Sequence, residues 1–460
     1  MDKNPNISIV DISKQYFGND FVWGVSTAAY QIEGAYKDTD KGTSIWDKFT
    51  SNKKNIYKGQ HANVTCDFFN RYEDDILLMK SMNIPNFRFS ISWSRLMPNG
   101  QGAVSKHGLE FYNKVINFCL KCGIKPWITL YHWDLPQALE DKGGWTNREI
   151  VTWFEEYTTV CANEFGDRVK HWMVMNEPMV FTGASYFLGV HAPGKKGMKY
   201  FLPAVHHAVL SQAAGGRILR SIVKNSCIGT TFSCSHITPF KDSEKHILAA
   251  KRVDALLNRL FIEPSLGLGY PIKEIPSLKK IKKYQYPEDA GNSIFEFDFI
   301  GVQNYTREVV KHSWFVPYLK AKIINARKRK VVATLMDWEV YPKSIFEMIK
   351  KFNSYKGLNK IIITENGAAF NDFLENEFVD DRERLTYIQS HIQQLYKAKT
   401  EGLKIDGYFI WTFTDNFEWA EGYYPRFGLV HVDFDTQKRT VKNSGRWYAD
   451  FLKGKNINEN

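Results

Sequence analysis

Eight short apolar runs, spaced along the chain with helical patterns between them, constrain this sequence more than any other feature. They are Val22–Ser26, Asn86–Ile91, Pro126–Tyr131, Trp172–Met175, Cys227–Phe232, Phe299–Val302, Lys360–Thr364 and Gly407–Trp411. They lack the alternation of a half-wet strand, so they read as parallel strands covered on both faces. Helical stripes follow, such as Leu109, Tyr112, Ile116 and Cys119, or Leu385, Ile388, Ile392 and Leu395. Further helices are expected over Arg71–Asn83, Asn147–Phe165, Leu202–Val223, Glu244–Phe261, Tyr341–Phe352 and Lys442–Leu452. Eight strand–helix units predict an α/β fold, a closed (β/α)8 TIM barrel with extended βα loops. An open doubly wound sheet often carries a Gly-rich phosphate turn after its first strand, and none stands here. No repeat or linker divides residues 1–460, so one barrel domain is expected. The long connections fall near 265–297 and 306–337.

In such a barrel, chemistry collects where the strands end. The rim reads Gln31, Arg88, His132 and Trp133, Asn176 and Glu177, Gln303 to Tyr305, Glu365, and Trp411 with Glu418 and Trp419. Two glutamates directly follow apolar strands, where an unpartnered carboxylate is costly. Either alone could be half of a structural ion pair. The pair, with Asn176 before one and Asn366-Gly367 after the other, favours catalysis. The 13 Trp, 23 Tyr and 32 Phe fit either bulky core packing or a pocket of flat faces for sugar rings.

The sequence resembles glycoside hydrolase family 1, the β-glucosidase-type retaining enzymes, over nearly its whole length. The resemblance is carried by Phe21-Val-Trp-Gly-Val-Ser-Thr-Ala-Ala-Tyr-Gln-Ile-Glu-Gly34, Arg88-Phe-Ser-Ile-Ser-Trp-Ser-Arg95, Tyr131-His-Trp-Asp-Leu-Pro136, Asn176-Glu-Pro178, Ile363-Thr-Glu-Asn-Gly367 and Asp415-Asn-Phe-Glu-Trp419. It implies a retaining hydrolase of O-linked β-D-glucosides, with β-galactosides and β-fucosides as further substrates. Glu365 would be the nucleophile and Glu177 the acid/base, with carboxyl groups about 5–5.5 Å apart. Arg88 would favour the anion on Glu365, Tyr305 would hydrogen-bond to it, and Asn176 would hold the 2-hydroxyl. Gln31, His132 and Trp133 would bind the 3- and 4-hydroxyl region. Trp411 would stack under the ring, and Glu418 would accept from the 4- and 6-hydroxyls beside Trp419. Trp338 would wall the aglycone side. Glu418 argues against 6-phosphoglycosides and Glu177 against thioglucosides. A transglycosylase of the same family and a non-catalytic sugar-binding relative are the alternatives.

Three departures from the family pattern stand out. Val174 and Met175 precede Asn176, where a Thr and an apolar residue are usual. Strand six reads Gly301-Val-Gln-Asn-Tyr305, so Gln303 takes the sugar-site position unless the register shifts to Asn304. Val309–Val331 matches nothing in the pattern.

The rest of the chain argues for a plain soluble enzyme. The net charge of +11 gathers in Lys279–Lys283 and Arg327–Lys330. Neither run carries interleaved aromatics, so they read as solvated surface rather than a nucleic-acid site. Met1–Asp20 lacks a leader's apolar core, and no stretch is long enough to span a membrane. Six cysteines are too few for a disulfide framework, and the Cys119/Cys122 pair reads as reduced thiols. Asn63-Val-Thr65 fits a glycosylation acceptor without a secretory route. A cytoplasmic location follows, with no membrane or nucleic-acid partner, no metal and no cofactor. His171, His206 and His207 read as structural. The oligomeric state is not readable.

Overall fold

A computed structural model describes residues 12–38 and 40–458. Residues 1–11, over half of the segment read for a leader, lie outside the described residues.

All eight apolar runs form strands, and they close in one parallel barrel. In chain order these are Val22–Ser26, Asn86–Ser90, Lys125–Tyr131, His171–Asn176, Cys227–Ser233, Phe299–Gln303, Ile361–Asn366 and Gly407–Trp411. The last pairs with the first, Val22 opposite Gly407 and Ser26 opposite Trp411. Burial on both faces is the physical source of the missing alternation.

The lower barrel is plugged by Trp127, Met173, Phe299, Ile362 and Phe409. Trp127 stacks on His171 at 4.1 Å and meets the rings of Phe299 and Phe409 at 5.6 and 5.2 Å. Two glycines make room for this plug. A Cβ on Gly24 would lie 2.5 Å from the Phe409 ring, and one on Gly229 would lie 2.4 Å from the Phe299 ring. Truncating Phe409 to Ala would cost about 3–5 kcal/mol. The filled floor leaves only the C-terminal mouth for chemistry.

The expected helices lie between the strands, with shifted ends. Lys106–Lys121 and Arg382–Thr400 carry the two stripes, although Leu109 is only half-buried. The helix expected over Glu244–Phe261 is α-helical to Asp254 and then widens into a π-helical turn over Ala255–Arg259.

The connection near 306–337 is not structureless. Strand Arg307–His312 pairs with His236–Pro239 on one side and Ala321–Ile323 on the other, in a small sheet beside the mouth. Val310, Ala321, Ala249, Ala250 and Val253 form its own small core. Such short strands give a weak local signal. The 265–297 connection is pinned by Asp289, which accepts from His206 at 2.7 Å and pairs with Arg148. His206 thus ties this connection to the helix before the fifth strand, and His171 packs on the barrel plug.

The basic runs are ordered surface. Leu278 and Ile281 bury one side of the 3-10 segment Pro276–Tyr284, leaving its lysines outside. Arg329 pairs with Glu339 at 2.6 Å, and Arg327 approaches Asp337 at 3.8 Å. The six cysteines are free thiols, Cys119 buried and Cys122 half-buried. Among the described residues no helix is long and apolar enough to cross a membrane.

Candidate active site

The site is organised around Arg88 on the second strand. Its guanidinium is fully buried and pairs with the Glu365 carboxylate from the seventh strand. It also donates to Asn176 Oδ1 from the fourth strand, and to Thr129 Oγ1 at 3.1 Å. The Tyr305 hydroxyl donates to the other Glu365 oxygen at 2.6 Å. A buried charge needs such partners, and removing one side of a buried pair costs about 3–5 kcal/mol.

Hydrogen-bond logic then fixes the next ring outward. Asn176 Oδ1 also accepts from Thr231 Oγ1 at 2.9 Å and from Gln303 Nε2 at 2.8 Å. Three donors identify that atom as the oxygen, so Nδ2 is the one that faces His132 Nε2 at 3.0 Å. His132 Nε2 must therefore accept, and the ring proton sits on Nδ1. That Nδ1 is buried without a protein partner, as are Gln31 Oε1 and Gln303 Oε1. Burial and the Arg88 charge hold the His132 pKa well below its usual value, so the ring stays neutral.

Burial and the neighbouring Glu365 push the Glu177 carboxyl well above the usual range, opposed by the Ser233 hydroxyl and Arg88. Burial raises Glu365 too, but Arg88, Tyr305 and Gln303 all pull it back. Glu365 holds a guanidinium and a phenol directly, so the shared proton resides on Glu177. Glu418 is pushed up to about 8, first by burial and then by Glu365.

These groups surround a cavity of about 350 Å³, within the range of small-molecule sites. Its wall includes Glu177, Glu365, Tyr305, His132, Trp133, Trp338, Trp411, Glu418 and Trp419. Gln31, Arg88, Asn176 and Gln303 stand behind that wall, fully buried. Gln31 sits on the short helix Ala29–Ile32, past the strand end, and donates to Phe417 O at 2.9 Å and Asn416 Oδ1 at 3.1 Å. The Trp133 and Trp419 rings lie 4.7 Å apart, and Trp338 packs on Tyr305 at 5.1 Å. Trp133, Glu177 and Trp419 have left-handed backbone, with φ of 78°, 45° and 49°. Each costs of order 1–3 kcal/mol for a non-glycine residue, and all three sit on the cavity wall.

A protonated and an ionised carboxyl, flanked by aromatic faces in one cavity, can cleave a glycosidic bond by acid and nucleophilic assistance. The profile of "Glycosyl hydrolase family 1" matches residues 13–457. The chain belongs to glycosyl hydrolase family 1. "Beta-glucosidase A" of Thermotoga maritima is 40% identical over 445 residues, covering 96% of this chain and 99% of that protein. "Beta-glucosidase A" of Acetivibrio thermocellus is 40% identical over 450 residues, with 96% and 99% covered. The solved "Beta-glucosidase from Thermotoga maritima in complex with deoxynojirimycin" superposes with a TM-score of 0.91 at 39% identity, covering 94% of this chain and 98% of that one.

Two departures of this family 1 hydrolase from the family pattern take definite form. Gln303, not Asn304, faces the site. Asn304 Nδ2 turns away to Cys234 O, Thr306 O and Ser344 Oγ, at 3.0, 3.1 and 3.0 Å. With Val174 and Met175 before it, Asn176 takes a hydroxyl partner from the fifth strand, Thr231. No sequence motif marks that strand's end. Ser233, Cys234 and Ser235 line the cavity there. The strand-end rule applied to Cys227–Phe232 would have pointed to Ser233. His191, Glu308, Met336, Glu421 and Phe427 also line the cavity, and none of them ends a barrel strand.

Proposed function

We propose that this hydrolase is a β-glucosidase that cleaves O-linked β-D-glucosides with retention, by double displacement. The observation that carries this is the asymmetric carboxyl pair. Glu365 is held as an anion by Arg88 and Tyr305, and the neighbouring Glu177 keeps its proton. Glu365 attacks the anomeric carbon while Glu177 protonates the departing oxygen. A glycosyl ester on Glu365 forms and the C–O bond to the aglycone breaks. Esterification removes the Glu365 charge that raised Glu177. Glu177 then ionises more readily and deprotonates the attacking water. The ester breaks, and sugar leaves with its β configuration.

Trp411 stacks under the sugar, and Asn176 meets its 2-hydroxyl. Gln303 orients Asn176. His132 Nδ1–H donates to a hydroxyl, and Gln31 Oε1 and Glu418 accept from others, with Trp133 and Trp419 beside them. Trp338 walls the aglycone. β-Galactosides and β-fucosides share the same chemistry.

A 6-phosphate is disfavoured. Five glutamates line the cavity (Glu177, Glu308, Glu365, Glu418 and Glu421), and among the described residues no Lys or Arg does. A phosphate there would meet acids and no counter-charge. The names of the relatives support the sugar assignment. The test is NMR of the first sugar released from a nitrophenyl β-glucoside. The β-anomer is expected, and an α-product would overturn the mechanism.

A further inference from the structure

In the small sheet, the hairpin that joins Arg307–His312 to Ala321–Ile323 bares its rings to water. Its turn reads Ser313-Trp-Phe-Val-Pro-Tyr-Leu-Lys320, inside the stretch Val309–Val331 that matches nothing in the family pattern. Trp314 is 74% exposed, Phe315 96% and Tyr318 49%. Among the described residues Trp314 is the only exposed tryptophan. A ring left in water gains nothing from folding, and a cluster of them marks an interaction surface. The turn is nevertheless held in shape. Ser313 N donates to Lys320 O at 3.1 Å, and Lys320 N to Val316 O at 3.0 Å. Leu319 packs on the small core of the sheet, and Arg252 donates to its carbonyl.

Unpaired cations flank these rings. Lys311 and Lys322 stand directly opposite each other across the hairpin, both exposed. Like charges so placed repel, and among the described residues no acid pairs with either. Lys320 lies over the Trp314 ring, 5.1 Å from its centre. Val310 faces the small core, so by alternation Val309 and Lys311 face outward. There they line a groove of about 670 Å³ with Lys328 and the apolar Phe240, Ile324 and Val331. Two further cations of the groove, Arg307 and Arg329, are already taken up by Glu339 at 2.6–2.9 Å. Among the described residues no Asp or Glu lines it.

We propose that this hairpin docks the protein on a bilayer surface rich in anionic lipid. Trp314 and Phe315 enter the interface, and Lys311, Lys320, Lys322 and Lys328 meet the headgroups. Aromatic rings settle at the headgroup level, and each Lys close to the surface adds attraction to anionic lipid. The net charge of +11 acts in the same direction. The expectation of no membrane partner rests on the lack of a spanning stretch, which a surface contact does not need. Other occupants fit less well. A second copy related by a twofold would bring lysine against lysine. A single nucleic-acid strand needs rings along the cationic groove for its bases, and Phe240 is the one ring among the described residues there. The small sheet stands beside the mouth, so docking keeps the active-site opening near the lipid.

The experiment spins full-length protein with vesicles of phosphatidylcholine, alone or mixed with phosphatidylglycerol, at near-physiological salt. Wild type should sediment with the anionic vesicles and stay behind with the neutral ones. Anionic vesicles with brominated acyl chains should quench the Trp314 fluorescence. Trp314→Ser with Phe315→Ser, and separately Lys311→Glu with Lys322→Glu, should each lower the partition coefficient about tenfold or more. Lys279→Glu with Lys282→Glu removes the same charge from the other basic run. It should leave the coefficient within about threefold, because screening confines the attraction to charges at the contact. An equal loss in that control, or no loss in the aromatic pair, would reduce the contact to net charge and overturn the proposal. So would failure to sediment with anionic vesicles, including cases where the same substitutions instead break a dimer or release a labelled single strand or polyglutamate peptide. Melting curves identify misfolded variants, and quenching in wild type then decides without any substitution.

Discussion

The floor of the site and its mouth are built differently. On the floor, Arg88, Asn176, Gln303 and Glu365 come from barrel strands, are fully or almost fully buried, and hold one another by hydrogen bonds. At the mouth, Trp338, Met336 and Glu308 come from the long connection after the sixth strand, held by a small sheet and its own small core. The floor is over-determined at Asn176 Oδ1, which answers to Arg88, Thr231 and Gln303 from three strands at once. Under the proposed function, the floor would meet the sugar being cleaved and the mouth the leaving group.

The largest effect should come from the floor. Glu365→Ala should lose at least about 10³-fold in kcat on every ordinary β-glucoside, because no covalent ester can form. Glu177→Ala should depend on the leaving group, losing about 10²–10⁴-fold where a proton is needed. It should react fast with dinitrophenyl β-glucoside, giving a burst and then a slow steady rate. Azide should restore turnover in both, with β-glucosyl azide from Glu177→Ala and α-glucosyl azide from Glu365→Ala. Swapped configurations would exchange the two roles.

Next comes the charge of the cavity. Above about pH 8, where Glu418 is ionised, the kcat/KM for nitrophenyl β-glucoside should exceed that for its 6-phosphate by about 10³-fold, since placing like charges together costs several kcal/mol. Parity would mean that Glu418 does not face the sugar's 6-position.

A paired substitution separates floor from mouth more finely. Thr231→Val removes one donor to Asn176 Oδ1 and should lower kcat about fivefold with little change in KM. Trp338→Ala should raise KM for the nitrophenyl probe up to about tenfold, the scale of an aromatic contact, and spare kcat. The same kinetic signature from both variants would erase the distinction.

The smallest effect concerns pH and stability. Glu418 is raised to about 8 in the folded chain, against about 4.3 for an unperturbed Glu. The folded state then holds a proton that the unfolded state releases. Glu418 therefore costs stability progressively as pH rises from about 4 to 8, and no more beyond. Glu418→Gln should flatten that part of the melting-temperature profile by a few degrees. An identical profile would mean that the carboxyl is not desolvated.

What the sequence by itself determined is the barrel and the placing of both glutamates at strand ends. Those signals are local. A strand buried on both faces must be apolar along its length, and a carboxylate after such a run stands out without any partner in view. The six motifs added roles to residues already marked by position. The choice of Gln303 over Asn304 was left open by the sequence, because neighbouring residues on a strand end differ only in the direction they face. Tertiary structure decided it: Gln303 reaches Asn176 across 127 positions, while Asn304 finds Cys234 and Ser344. Thr231 as the partner of Asn176, the Arg88 bridge and the cavity beside Glu308 arise in the same way. Each depends on how strands far apart in sequence are registered when the barrel closes, and no short stretch of chain records that register.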